Sequence, residues 1–184
     1  MNCIGPIMAG EMVWIDLEMT GLDIETESII EIATIITDET LNIIARGPNL
    51  AIKVEEELLI GMDEWNTTHH TASGLVQRIQ TEGVSLQEAI EQTCDFLQEH
   101  LDLGRAPLCG NSVHNDRLFL AKEMPEVLEM LHYRIVDVST IKELVRRWYP
   151  KLERYQKKEA HRALDDIIES IEELKYYREH VFKV

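Results

Sequence analysis

The chain has 184 residues, 45% of them hydrophobic and 28% charged, with 34 Asp and Glu against 18 Lys and Arg and a net charge of −16. That size and composition fit one globular domain with a full core, and no apolar run approaches the roughly 20 residues of a membrane span. The first ten residues lack the basic start and long apolar stretch of a secretory leader, and three scattered cysteines (Cys3, Cys94, Cys109) without a C-x-x-C pair fit a reduced intracellular setting.

Residues 1–11 read as a flexible N-terminal extension and 12–184 as a single domain. Met12–Met19 is apolar and β-prone and predicts a strand, followed by a Thr20-Gly21 turn and a polar stretch. Ile29–Thr37 and Leu41–Arg46 predict two more strands, rich in β-branched residues and joined by a hairpin at Asp38-Glu39-Thr40. Leu50–Val54 adds a short extended piece. Ser85 and Glu88 form a capping box, and Leu86, Ala89, Ile90, Thr93, Leu97 and Leu101 recur at helical spacing behind it. Pro107–Asn111 predicts a short buried strand that hides Cys109, and Asp116–Glu123 a helix stopped before Pro125. Arg134–Val138 predicts the last strand. Ser139 is expected to cap a helix that runs to about Tyr149 and ends at Pro150. Ala163 to about Arg178 is amphipathic, with Leu164, Ile167, Ile168, Ile171 and Leu174 inward. Hairpin strands followed by strand–helix alternation imply a mixed α/β sheet flanked by helices.

Four carboxylates stand out on this layout: Asp16, Glu18, Asp116 and Asp166, with His161 shortly before the last. Asp16 and Glu18 alternate on one face of the first strand. Two like charges on a buried face cost several kcal/mol per ion, on the order of the usual desolvation penalty, unless something positive compensates. Hard divalent cations, which take oxygen ligands, are the natural compensation. Each residue alone also has a plainer reading. Asp16 and Glu18 fit a solvated edge strand, Asp116 a helix-start acid satisfying orphan N–H groups, Asp166 a solvent-facing acid, and His161 a loop or core histidine. Residues 134–162 carry nine Lys and Arg against four acids, a local net of +5 within an acidic chain. That stretch fits either a small phosphate-binding patch or an ordinary solvated helix face.

Taken together the motifs are specific. Trp14-Ile15-Asp16-Leu17-Glu18-Met19-Thr20-Gly21-Leu22, Gly110-Asn111-Ser112-Val113-His114-Asn115-Asp116 and His161-Arg162-Ala163-Leu164-Asp165-Asp166 resemble the three motifs of the oligoribonuclease family. These are DEDDh 3′→5′ exonucleases of the ribonuclease H-like superfamily. His132-Tyr133-Arg134 followed by Asp137-Val138-Ser139-Thr140 narrows the resemblance to oligoribonucleases, and the likeness runs from about Met12 to the C-terminus. Two positions depart from the usual pattern. Asn115 stands where the superfamily often has an aromatic residue, and His114 where many bacterial members have a small one, closer to eukaryotic members.

The resemblance implies a ribonuclease H-like, mixed five-stranded sheet forming one exonuclease domain over 12–184. It implies hydrolysis of very short RNA, two to about five nucleotides and above all 5′-phosphorylated dinucleotides, with two divalent ions, Mg2+ or Mn2+. Asp16, Glu18 and Asp166, rather than Asp165, would hold the first ion. Asp16 would bridge to the second, and Asp116 would support it. His161 would take a proton from the attacking water. Leu22 would wedge between bases, Trp65 would stack, and His70 would lie in contact nearby, although Trp65 also fits core or interface and Leu22 simple packing. Ser112, Arg134, Ser139 and Thr140 would cap the terminal 5′-phosphate. The family implies a homodimer in which Tyr133 reaches the neighbouring subunit's site, with Trp148 and Tyr149 belonging to the dimer contact or the core. A cytoplasmic location is expected, or a mitochondrial one for a eukaryotic source. The competing readings are a DEDDh exonuclease trimming DNA 3′ ends and a non-catalytic nucleotide-binding protein of the same fold.

Overall fold

Strands β1 (Met12–Met19), β2 (Ile29–Thr37), β3 (Ile43–Ala51), β4 (Pro107–Gly110) and β5 (His132–Asp137) form one sheet in the order β3-β2-β1-β4-β5. The computed structural model describes residues 10–156 and 162–182. β1, β2 and β3 are antiparallel neighbours, whereas β4 runs parallel to both β1 and β5. The sheet is therefore mixed. β2 is buried along its whole length by Ile29, Ile30, Ile32, Ile35 and Ile36, the continuous β-branched run expected of a strand covered on both faces.

Among the described residues, eight helices accompany the sheet: α1 (Glu56–Gly61), α2 (Glu64–Ala72), α3 (Leu75–Glu82), α4 (Leu86–His100), α5 (His114–Glu123), α6 (Pro125–Glu129), α7 (Val138–Trp148) and α8 (Ala163–His180). The alternation of β1 sorts them. Val13, Ile15, Leu17 and Met19 pack with α4, α5 and α6 through Ala89, Leu97, Phe119, Leu120 and Val127. Trp14 points the other way, into a cluster built by Val138 and Val145 of α7 and Ala163, Ile167 and Ile171 of α8. Cys109 is buried in that second cluster, as expected. No helix among the described residues is long and apolar enough to cross a membrane.

Several elements differ from their expected form. Most of the two pieces Leu41–Arg46 and Leu50–Val54 belongs to one strand, β3 (Ile43–Ala51), which passes through Gly47-Pro48 at a register shift opposite Ala33–Ile35. Proline is tolerated there because β3 is an edge strand and needs no N–H on its open side. Glycine is required next to it, since a Cβ on Gly47 would lie 2.5 Å from the Phe96 ring of α4. The cap of α7 is Asp137, whose side chain accepts from the Ser139 N–H, not Ser139 itself. Helices α1–α3 and α6 appear where no element was expected. The capping box of α4 is present with both of its reciprocal bonds.

Candidate active site

The alternation that sends Trp14 toward α7 and α8 carries Asp16 and Glu18 to the same face, two and four residues further on. α8 starts above that face, anchored by Ala163 and Ile167 in the Trp14 cluster, so its first turn delivers Asp166. One oxygen from each of Asp16, Glu18 and Asp166 lies within 4.8 Å of the others. Asp165 faces solvent. Asp116 arrives from α5, whose Phe119 and Leu120 lie in the opposite core. β4 pairs with β1 only at Val13 and Trp14, which leaves the rest of that strand edge open. Asp116 fills the gap, its Oδ1 accepting the Leu17 N–H at 3.0 Å.

Asp16, Glu18 and Asp116 hold their protons more tightly than ordinary carboxyls. Burial pushes Asp16 up, and Asp116, Glu18, Asp166 and Glu31 push it further. Glu18 is raised to about 8 by burial, then by Glu31, Asp166 and Asp116. Asp116 is raised to about 7 by burial, with Asp137 adding to it and the Leu17 hydrogen bond opposing it. Like charges this close cannot all ionise without compensation. A donor set made only of carboxylate oxygens, with every leading influence on Asp16 raising its pKa, fits a hard divalent cation such as Mg2+ or Mn2+.

A fifth acid belongs to this neighbourhood. Glu31, paired across β2 with Glu18, is 1% exposed. Arg78 of α3 forms an ion pair with it, while also donating to Glu82 at 2.9 Å and to the Asn49 carbonyl at 3.3 Å. The other Glu31 oxygen receives the Ala163 N–H, the first of α8, at 3.5 Å. The sequence signal was a lone acid inside Ile29-Ile30-Glu31-Ile32.

Beside Glu18 opens a cavity of about 510 Å³ lined by Leu17, Met19, Gly21, Leu22, Asp63, Trp65 and Asn66. Leu22 is 73% exposed and Trp65 59% exposed, so neither is a core residue. Trp65 stacks on His69 at 3.8 Å between ring centroids. His70 is 3% exposed. Its Nε2 lies 3.0 Å from the Met19 carbonyl and its Nδ1 3.9 Å from Glu18. Burial lowers its pKa.

At the other end of the site Asp137 gathers the hydroxyl residues. Its Oδ1 accepts from the backbone N–H of Ser112 at 2.8 Å and of Ser139 at 3.0 Å, and its Oδ2 from the Thr140 hydroxyl at 2.7 Å. Ser112 is held at φ 54, a left-handed conformation that costs a Cβ-bearing residue on the order of 1 kcal/mol or more. Arg134 and Tyr133 sit exposed on edge strand β5, the guanidinium carbon 5.4 Å from the tyrosine ring centre. The basic stretch is partly neutralised by its own neighbours: Lys142 pairs with Glu173 at 3.0 Å, and Arg146 and Arg147 pair with Glu143. Trp148 and Tyr149 are exposed rather than core. His161, Lys157 and Lys158 lie outside the described residues.

A mixed sheet of this order, with carboxylates gathered where its central strand outruns its parallel neighbour, has the layout of the ribonuclease H-like exonucleases. The fold matches exonuclease I of E. coli in its zinc-bound complex with single-stranded DNA, at a TM-score of 0.75 and 12% identity over 95% of this chain. Exonuclease I of Methylocaldum szegediense matches at a TM-score of 0.72 and 17% identity over 94% of this chain. The chain spans about two fifths of those longer proteins, 41% in each case. The family model described as Exonuclease matches residues 13–174. Among full-length relatives, the oligoribonuclease of Vibrio campbellii is 56% identical over 174 residues, 94% of this chain and 96% of the relative. The mitochondrial oligoribonuclease of Homo sapiens is 53% identical over 181 residues, 97% of this chain and 76% of the relative. The chain belongs to the oligoribonucleases within this exonuclease family.

Proposed function

We propose that this chain is a divalent-cation-dependent 3′→5′ exoribonuclease that degrades very short RNA, above all 5′-phosphorylated dinucleotides, to nucleoside 5′-monophosphates. The convergence of Asp16, Glu18 and Asp166, with Glu18 also lining a cavity walled by Leu22 and Trp65, carries this reading. Asp16, Glu18, Asp116 and Asp166 would hold two Mg2+ or Mn2+ ions, which would supply charge neutralisation at the scissile phosphate. Trp65 stacks on a base and Leu22 wedges beside it, a contact worth about 1–3 kcal/mol per stacked base. His70 braces the Met19 carbonyl behind them. Ser112, Arg134, Ser139 and Thr140 hold the terminal phosphate, where a guanidinium suits bidentate binding. His161 takes the proton from the attacking water, a role that suits a group titrating near neutrality.

Charge sets the length of the substrate. A body with a net charge of −16 repels a long polyanion, so affinity has to come from one or two nucleotides gripped at both ends. Turnover of RNA oligomers of two to seven units, and of the matching DNA dinucleotide, tests the reading. The 5′-phosphorylated RNA dinucleotide should be cleaved fastest and should survive intact in chelator. If it survives in Mg2+ as well, the enzyme reading is wrong; if DNA or long strands are preferred, the DNA-trimming reading replaces it.

We also propose a homodimer formed along β5, whose outer edge carries exposed Tyr133 and Ile135 beside a hollow lined by His114, Arg117 and Leu118. Tyr133 then completes the site of the partner. Tyr133→Ala should lose most activity, as should Asp16→Asn. After subunit exchange, the mixture should recover about a quarter of wild-type turnover, because half the dimers hold one intact site. No recovery on mixing would rule out donation in trans. A cytoplasmic location is proposed for a bacterial source; the mitochondrial name belongs to mammalian relatives.

A further inference from the structure

Asn111 directly follows β4, between the hydroxyl cluster and α8, and its amide touches both. The Ser139 hydroxyl donates to Asn111 Oδ1 at 3.1 Å. Asn111 Nδ2 donates to Ser170 Oγ at 2.6 Å and reaches Glu173 Oε2 at 3.4 Å. Ser170 in turn donates to the main-chain carbonyl of Asp166 at 2.8 Å. Ser112 Oγ lies 3.1 Å from Ser139 Oγ.

Counting protons gives this chain one direction. A serine hydroxyl has a single proton. Ser139 gives its proton to Asn111, so Ser112 must be the donor between the two serines. Ser170 gives its proton to Asp166, so it can only accept from Asn111. The amide cannot be reversed, because its oxygen would then face the Glu173 carboxylate. The run from Ser112 through Ser139, Asn111 and Ser170 to Asp166 is thus fully committed. It joins the hydroxyls at one end of the site to the helical turn carrying one of the clustered acids. A phosphate oxygen placed at Ser112 and Ser139 competes with Asn111 for the Ser139 proton.

We propose that Asn111 and Ser170 are positioning residues that tie the terminal-phosphate subsite to Asp166, so that filling the subsite and setting the carboxylate cluster are one event. This rests on the reading of Ser112 and Ser139 as phosphate contacts. Neither Asn111 nor Ser170 touches the substrate or offers a ligand to the cluster. Ser170 holds the main-chain carbonyl of Asp166, whose carboxylate lies against those of Asp16 and Glu18, and Asn111 holds Ser170.

Four variants test this, with Mn2+ binding measured by calorimetry in the absence of substrate, and kcat and KM measured on dinucleotides with and without a 5′-phosphate. Ser170→Ala and Asn111→Ser should each weaken Mn2+ binding about 10-fold and lower kcat on the phosphorylated dinucleotide by a similar factor, the usual cost of removing a support behind a ligand. Ser170→Thr, which keeps the hydroxyl, should recover most of both. Ser112→Ala should lose the preference for the 5′-phosphate and bind Mn2+ as wild type does. If Ser112→Ala behaves so while Ser170→Ala and Asn111→Ser keep wild-type Mn2+ affinity and kcat, the tie is wrong and the phosphate subsite stands. If Ser112→Ala keeps the preference, the subsite reading fails and the tie falls with it. Should Ser170→Ala not fold, Asn111→Ser decides between these outcomes.

Discussion

Asp16→Asn is expected to make the metal-free protein more stable and to reduce hydrolysis by roughly 10,000-fold, the scale seen when a member of a catalytic unit is removed. Both effects have one cause. Asp16 is half-buried and lies near Asp116, Glu18, Asp166 and Glu31, each of which disfavours its ionised form. An amide of nearly the same shape removes that repulsion, and with it the charge that recruits a cation. The pH dependence follows from the raised carboxyls. In the unfolded chain Asp and Glu titrate near 4, whereas in the folded chain Glu18 titrates at about 8 and Asp116 at about 7. Between those limits the folded state holds more protons than the unfolded one, so stability falls as pH rises. The penalty is absent below about pH 4 and complete above the folded values. A tenfold difference in proton affinity between the two states is worth about 1.4 kcal/mol, and at this chain length 1 kcal/mol moves the melting point by roughly 2–4 °C. In chelator the melting temperature should therefore drop by on the order of 10 °C between pH 5 and 8.5. Asp16→Asn should flatten that slope, and Mn2+ should restore wild type most at the alkaline end. A chelated wild-type protein equally stable at pH 5 and 8.5 would show that the acids do not repel one another as described.

The parts legible in the sequence are those written in local pattern. The alternation Trp14-Ile15-Asp16-Leu17-Glu18 already places two acids on the Trp14 face, opposite the apolar pair Ile15 and Leu17, and the structure keeps that parity. The Ser85–Glu88 box and the apolar spacing of α4 are likewise local. The bounds of β2 are those expected. What escaped reading depends on partners far away in the chain. Ser139 and Asp137 are both good capping residues, and the choice falls to Asp137 because β5 runs on to that residue. β3 looks broken at Gly47-Pro48 until Phe96 of α4 is seen to need the space. Asn111 and Asp137 were visible as motif members, but their bonds to Ser170, Ser112 and Ser139 span 25 to 59 positions or cross a turn. No window of sequence holds such a network. Glu31 and Arg78, 47 positions apart, are the strongest case of the same problem.

Arg78→Met is expected to be the most destabilising single change outside the apolar core. The methionine keeps the stem but removes the charge opposite Glu31, a side chain 2% exposed. Removing one partner of a buried ion pair costs roughly 3–5 kcal/mol, which at this size lowers the melting temperature by about 10 °C or more. The location makes matters worse than for an isolated pair. Glu31 raises the pKa of both Asp16 and Glu18 even with Arg78 in place, so its uncompensated charge strengthens the repulsion those acids already suffer. Glu31→Gln should be milder, because it leaves Arg78 bonded to Glu82 and to the Asn49 carbonyl. The double variant Arg78→Met with Glu31→Gln should recover more than half of the loss, since a neutral amide can stay buried where a lone carboxylate cannot. Thermal melts of the four proteins in chelator form a double-mutant cycle whose coupling reads the pair directly. A coupling below about 1 kcal/mol, the range of an exposed pair, would demote Arg78 to a surface contact and leave the burial of Glu31 without an explanation.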